Sequence, residues 1–169
     1  NWGTAPQRQL LIRHVNSATD GFQFYIYGPS GPSSSSFVLA ETQASIPASA
    51  NTWYNIVGTW DGSEIKIYVN GALGGSETAI SGSLSSSTAP NLIGRYNTTY
   101  MNGNISNAAF WTDTVLSEDD ILNIYNNGVT QDLNNFRITP TNWFPLDESY
   151  TYFNGSVMVA RDVIGGGEV

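Results

Sequence analysis

Two short turns bracket a strand in the run from Trp53 to Gly71, WYNIVGTWDGSEIKIYVNG, and constrain this chain more than any other feature. The turns are Asp61-Gly62 and Asn70-Gly71. Before the first, Tyr54, Ile56, Gly58 and Trp60 alternate with Asn55, Val57 and Thr59. Between the two, Ile65, Ile67 and Val69 alternate with Glu64, Lys66 and Tyr68. A period of two with aromatic and β-branched residues is the pattern of a half-buried strand. Asp-Gly or Asn-Gly between such runs suits a type I′ turn, whose two central residues both need φ > 0. The stretch is expected to form antiparallel strands joined by a type I′ turn at each pair.

The rest of the chain reads the same way. Arg8–Val15 and Phe22–Tyr27 are strand candidates around a turn at Asn16–Gly21, and Phe22, Phe24 and Ile26 share one face. Gly28–Ser36 holds two prolines and two glycines, which remove ladder donors and cost entropy, so it reads as a solvated loop. Phe37–Glu41 is a short strand, and Ser45–Asn51 leads into the central run. Ala72–Pro90, rich in Gly and Ser, reads as an irregular loop. Strands are expected near Asn91–Tyr96 and Asn104–Trp111, with Asn97–Gly103 between them. Trp53, Trp60 and Trp111 fall on strands and are expected in the core. Ser117 is a suitable N-cap, with Asp120 at N3, an apolar face of Ile121, Leu122, Ile124 and Tyr125, and Gly128 as a stop. This is the one helix of note.

Composition excludes several functions. The length of 169 residues suits one domain with a sizeable core. Only 12% of residues are charged and the net charge is −8, so the clustered Lys and Arg that phosphate binding needs are missing. Nucleic acid is therefore not an expected partner. Cysteine is absent, so the fold uses no disulfide. No apolar run has the length of a membrane span, and membrane insertion is not expected. The start at Asn1, without a signal peptide, reads as a piece of a longer polypeptide.

Trp53-Tyr54, Gly58-Thr59-Trp60-Asp61-Gly62 and Tyr68-Val69-Asn70-Gly71 together resemble the central hairpin of laminin-G-like domains, the concanavalin A-like jelly rolls. Asn91–Arg95 resembles the family's next strand, Gly103–Trp111 the one after it, and Leu116–Ile121 its closing helix. The resemblance implies an all-β jelly-roll β-sandwich of concanavalin A-like, laminin-G-like type with one short helix. It implies a domain over residues 1–128, followed by a C-terminal extension over 129–169 that covers an edge or serves assembly. Within that extension, Asn142–Glu148 and Tyr152–Asp162 resemble segments that follow the jelly roll in phage virion proteins. A lead-in strand of a second, similar domain is the other reading. The superfold hosts lectins, glucanases, adhesion modules and virion proteins, so it does not fix function.

Catalytic groups are sparse. The glucanase branch carries Glu-x-Asp-x-x-Glu on a strand, where alternation places the carboxylates on one face. The nearest match here is Glu118-x-Asp120, with Asn123 where the second Glu should stand. It sits at a helix start, where Glu118, Asp119 and Asp120 are expected to fan outward and complement the dipole. His14 is the only histidine, and there is no Gly-x-Ser-x-Gly elbow. No enzyme activity is expected. Many laminin-G-like domains hold one Ca²⁺, so the resemblance leaves that ion open, with Asp20, Asp61, Asp113 or Asp147 as oxygen ligands. Turn chemistry alone also explains Asp20 and Asp61, and no other cofactor is expected. Tyr96 and Tyr100, with Asn97 and Asn102 as amide partners, are the carbohydrate-binding candidates, because such rings pair an apolar face with a polar tip. Packing is the competing role for both rings.

The functional expectation is a non-catalytic structural or adhesion module on a virion or fibre exterior, of decoration, spike or tail-fibre type. Its partners would be other virion or fibre subunits, in an oligomer, and surface glycans. A lectin-like module of a secreted or cell-surface protein is the alternative, and part of a glycoside hydrolase ranks last. The location implied is extracellular or on a virion surface.

Overall fold

A computed structural model of the chain describes residues 10–15, 21–27, 37–41, 46–78, 91–96, 99–155 and 158–166. It divides into two compact units. One comprises Asn1–Ala89 with Val115–Val129, the other Pro90–Thr114 with Thr130–Val169.

In the first unit, β1 (Leu10–Val15), β2 (Gly21–Tyr27) and β3 (Phe37–Glu41) form one antiparallel sheet with β2 in the centre. A second antiparallel sheet holds β4 (Ile56–Trp60), β5 (Glu64–Val69) and β6 (Ala72–Thr78), with β5 in the centre. The alternation read from the sequence decides which faces meet. Phe24 and Ile26 of β2 pack with Ile65 and Ile67 of β5, and Phe22, Ile56 and Trp60 pack against that cluster. Ile65 and Ile67 are fully buried. The sheets approach so closely that a Cβ added at Gly58 would lie 2.7 Å from the Phe24 ring. The expected all-β sandwich is thus present in this unit, built on the strand phase that the hydrophobic pattern demands.

The two turns differ. Asn70 and Gly71 have φ of 52° and 78° and join Val69 to Ala72, a type I′ turn as expected. At the first hairpin the turn is centred one residue later than expected. Trp60 pairs with Ile65, and the Asp61 N–H donates to the Glu64 carbonyl at 3.3 Å. The central residues are therefore Gly62 and Ser63, and only Gly62 has positive φ, at 95°. That is the type II′ signature, not I′. Asp61 acts as a side-chain cap instead, its Oδ1 accepting from Ser63 N–H, Ser63 Oγ and Glu64 N–H at 2.8, 2.9 and 2.7 Å.

Three further expectations need correction. Ala72–Thr78, read as loop, is strand β6, because the I′ turn delivers the chain along the free edge of β5. A bulge between Ile67 and Tyr68 absorbs the Gly74-Gly75 step. Residues 79–90 lie outside the described residues. Trp53, read as core, is 66% exposed, because β4 begins only at Ile56. Asp120, expected to point outward, is buried. The helix α1 (Glu118–Tyr125) starts with a capping box: the Asp120 N–H donates to Ser117 Oγ at 3.2 Å, and the Ser117 N–H donates back to Asp120 Oδ2 at 3.1 Å. The helix ends at Asn126 in the left-handed region, and a short 3-10 turn carries the chain to Gly128.

The second unit holds three two-stranded antiparallel pieces. These are β7 (Arg95–Tyr96) with β8 (Thr99–Tyr100), β9 (Ala108–Phe110) with β10 (Asn142–Phe144), and β11 (Thr151–Phe153) with β12 (Met158–Ala160). The loop expected over Asn97–Gly103 contains β8, so the first piece is a tight hairpin. β9 and β10 are tied by side chains as well as by their ladder. Trp143 Nε1 donates to Asn107 Oδ1 at 2.6 Å, and Trp111 Nε1 donates to the Ile138 carbonyl at 2.7 Å. Asp162 is buried and accepts from Asn142 Nδ2 at 2.6 Å and from the Trp143 N–H at 2.8 Å.

Candidate functional site

The β7–β8 hairpin carries the sequence-predicted carbohydrate candidates. Its register sets Arg95 opposite Tyr100 and Tyr96 opposite Thr99. Gly94, at φ 74°, turns the chain into β7 in a conformation that favours glycine, and its carbonyl accepts from the Met101 N–H at 2.8 Å. The cross-strand pairing brings the Arg95 guanidinium to 5.3 Å from the centroid of the Tyr100 ring. The ring is nevertheless 70% exposed. A cation over an aromatic face fixes the ring through its quadrupole. The ring thus carries a cation contact and is otherwise open to solvent. Leu92 and Met101 on the same hairpin are also about half exposed, and Asn102 is exposed beside them. The Tyr96 side chain and Asn97 lie outside the described residues. Of the four candidates, the structure describes the side chains of Tyr100 and Asn102, both exposed.

The metal candidates lie in separate turns where the structure describes them. Asp20 lies outside the described residues. Asp61 directs Oδ1 to the three donors of its own turn, and those hydrogen bonds, the Ser63 N–H first, hold its carboxyl below the usual carboxylate range. Asp113 is exposed, at φ 62°. Asp147 caps its own turn, accepting from the Ser149 and Tyr150 N–H groups. Among the described residues no three His, Cys, Asp or Glu side chains converge where a metal ion could sit.

The catalytic candidates have structural roles. Asp120 belongs to the capping box, and Glu118 lies in the first helical turn, where its charge complements the dipole. His14 is exposed on β1 with its ring tilted against Phe22 at 5.5 Å.

Sequence reasoning passed over Asp162. Burial by itself raises its pKa, but the Asn142 amide and the N–H groups of Trp143, Gly165 and Ile164 outweigh that and hold it below the ordinary value. Its signal was faint, a lone Asp after an apolar run, and its partners are about twenty residues away in the chain. Among the described residues no helix is long and apolar enough to cross a membrane.

A laminin G-type family model, described as the concanavalin A-like lectin/glucanases superfamily, matches residues 2–122. No curated protein matches the chain, and no solved structure does.

Proposed function

The chain belongs to the concanavalin A-like lectin/glucanase superfamily, its fold is that superfamily's all-β jelly-roll sandwich, and from this premise we propose that it is a non-catalytic adhesion module. A domain of this class fits a lectin-like or adhesion role. In our reading it binds glycans through the β7–β8 hairpin and is displayed, with other subunits in an oligomer, on the exterior of a virion or fibre. The observation that carries the glycan reading is the Tyr100 ring, exposed to 70% and backed by Arg95. A sugar's C–H face stacks on such a ring, and the Asn102 amide offers both a donor and an acceptor to hydroxyls. A weakly charged surface rich in Ser, Asn and Gly supports an exterior location.

The test is a glycan array probed with the parent and with Tyr100→Ala. The parent is expected to retain a defined set of glycans, and the variant to lose about tenfold in affinity for them. If the variant retains every glycan as well as the parent, or if the parent retains none, the reading falls. Sedimentation of the parent is expected to show an oligomer, and a monomer at all concentrations would remove the assembly part.

A further inference from the structure

The outer face of the β4–β5–β6 sheet carries a second concave surface, within the first unit. Thr59 and Asp61, with Glu64, Lys66 and Tyr68 of β5 and the segment Val115–Glu118, enclose a groove of about 140 Å³. The same alternation that sends Ile65 and Ile67 into the core points Glu64, Lys66 and Tyr68 the other way, and Thr59 lies directly across from Lys66. The fold positions each polar group in turn. Asp61 is fixed by the three donors of its turn. Lys66 Nζ sits 3.2 Å from Glu64 Oε2. Tyr68 is buried, and Glu118 of the first helical turn lines the same groove. Leu116, buried, and Val115, half exposed, give one wall an apolar character.

The ligand class follows from these groups. Three carboxylates and one ammonium leave the groove net negative, which disfavours phosphate, sulfate and acidic sugars. An apolar ligand would strip water from four charges with nothing in return. A neutral polyhydroxy molecule fits both constraints, since each hydroxyl can donate to a carboxylate or accept from the ammonium, and charge-assisted hydrogen bonds are the strong ones. The volume suits one sugar residue rather than a chain. Because Asp61 is already held by its turn and Lys66 by Glu64, less ordering entropy opposes binding at these groups.

We propose that this groove binds a single neutral sugar residue, with its hydroxyls on Asp61, Glu118 and Lys66 and its C–H face on Val115 and Leu116. The proposal rests on the glycan-binding reading and adds to it a site separate from the Tyr100 hairpin.

The experiment is an NMR titration of the ¹⁵N-labelled chain with glucose, galactose, mannose and N-acetylglucosamine, to about 50 mM, above the millimolar range of a weak single-residue site. With at least one of these sugars, amide shifts are expected at Thr59–Lys66 and Leu116–Glu118. Tyr100→Ala should leave those shifts unchanged. Asp61→Asn with Glu118→Gln keeps the turn acceptor and the size of both side chains while removing their charge, and should weaken binding at least about tenfold. Glucuronate should bind at least about tenfold more weakly than glucose. The groove assignment is overturned if none of the four sugars shifts these amides, if the double variant binds like the parent, or if Tyr100→Ala abolishes the groove shifts. Binding that maps to the hairpin alone overturns the groove and leaves the glycan reading standing, whereas binding at neither place removes both.

Discussion

Replacing Gly58 with alanine tests the packing of the two sheets directly. A methyl added to a strand glycine ordinarily stabilises by about 0.4–1 kcal/mol, because alanine has less freedom to lose on folding. At Gly58 the sign should reverse. The added Cβ would lie 2.7 Å from both Cγ and Cδ1 of Phe24 and 2.9 Å from Cδ2. Cγ is the root of the ring, so turning the ring about its own axis does not relieve the contact. Phe24 must swing about χ1 or the sheets must part, and Phe24 is buried against Ile26, Ile65 and Ile67. Overpacking of this kind costs about 1–3 kcal/mol, and contact at the ring root belongs in the upper half of that range. After the entropic gain is offset, Gly58→Ala should destabilise by about 1–2.6 kcal/mol. For a chain of 169 residues that lowers Tm by roughly 2–10 °C. Equilibrium urea unfolding should show a lower midpoint at an unchanged slope. Phe24→Leu in the same background should make room, so that the double variant costs less than the two single costs summed, by at least about 1 kcal/mol. A Gly58→Ala variant as stable as the parent, or an additive cycle, would refute the face-to-face packing of β2 on β4.

Acid should unfold the chain partly through Asp162. Its folded pKa lies below the unfolded value, so its contribution is fully present above the unfolded pKa, near 3.8, and disappears as pH falls through the folded one. Asp162→Asn should flatten the stability profile in that acidic window, and Gly165→Ala, whose Cβ would collide with the Asp162 carboxylate and the Asn142 amide, should mimic it. The tryptophans should separate by hydrogen bonding. Trp143→Phe leaves Asn107 Oδ1 without its 2.6 Å donor, whereas Trp60 Nε1 is buried with no partner among the described residues. Trp143→Phe should therefore cost about 1–3 kcal/mol more than Trp60→Phe in urea melts. Asp120→Ala should cost about 1 kcal/mol through the capping box, measured by thermal melts. The purified chain should hydrolyse no β-glucan, and turnover that disappears with Glu118→Ala and Asp120→Ala would contradict the non-catalytic reading.

What the sequence alone shows of the candidate residues has definite physical limits. Tyr100 was marked by its place beside an Asn/Thr loop, but only the pairing of β7 with β8 shows that Arg95 crosses its ring while leaving it in solvent. Trp53 was misplaced because alternation gives the phase of a strand and not its first residue. Asp162 was missed because its donors come from a strand distant in the chain. The groove on β4 and β5 was invisible because Val115–Glu118, one of its walls, reaches it only through the fold.

The sequence by itself determined which residues face inward. Period-two alternation dictates that Ile65, Ile67, Phe24 and Ile26 share a core, and Asn70-Gly71 dictates a turn with both φ positive, because few other residue pairs tolerate it. It also determined the helix start, through Ser117 and Asp120. The register of the first hairpin was left to the tertiary structure. A turn at Asp61-Gly62 and one at Gly62-Ser63 shift the pairing by two residues, so both keep the same side chains on the same faces, and alternation cannot tell them apart. The observed register sets Gly58 opposite Ile67, beneath the Phe24 ring, and lets Asp61 accept three hydrogen bonds. Packing from the other sheet and side-chain capping made that choice, and both exist only once strands distant in the chain have met.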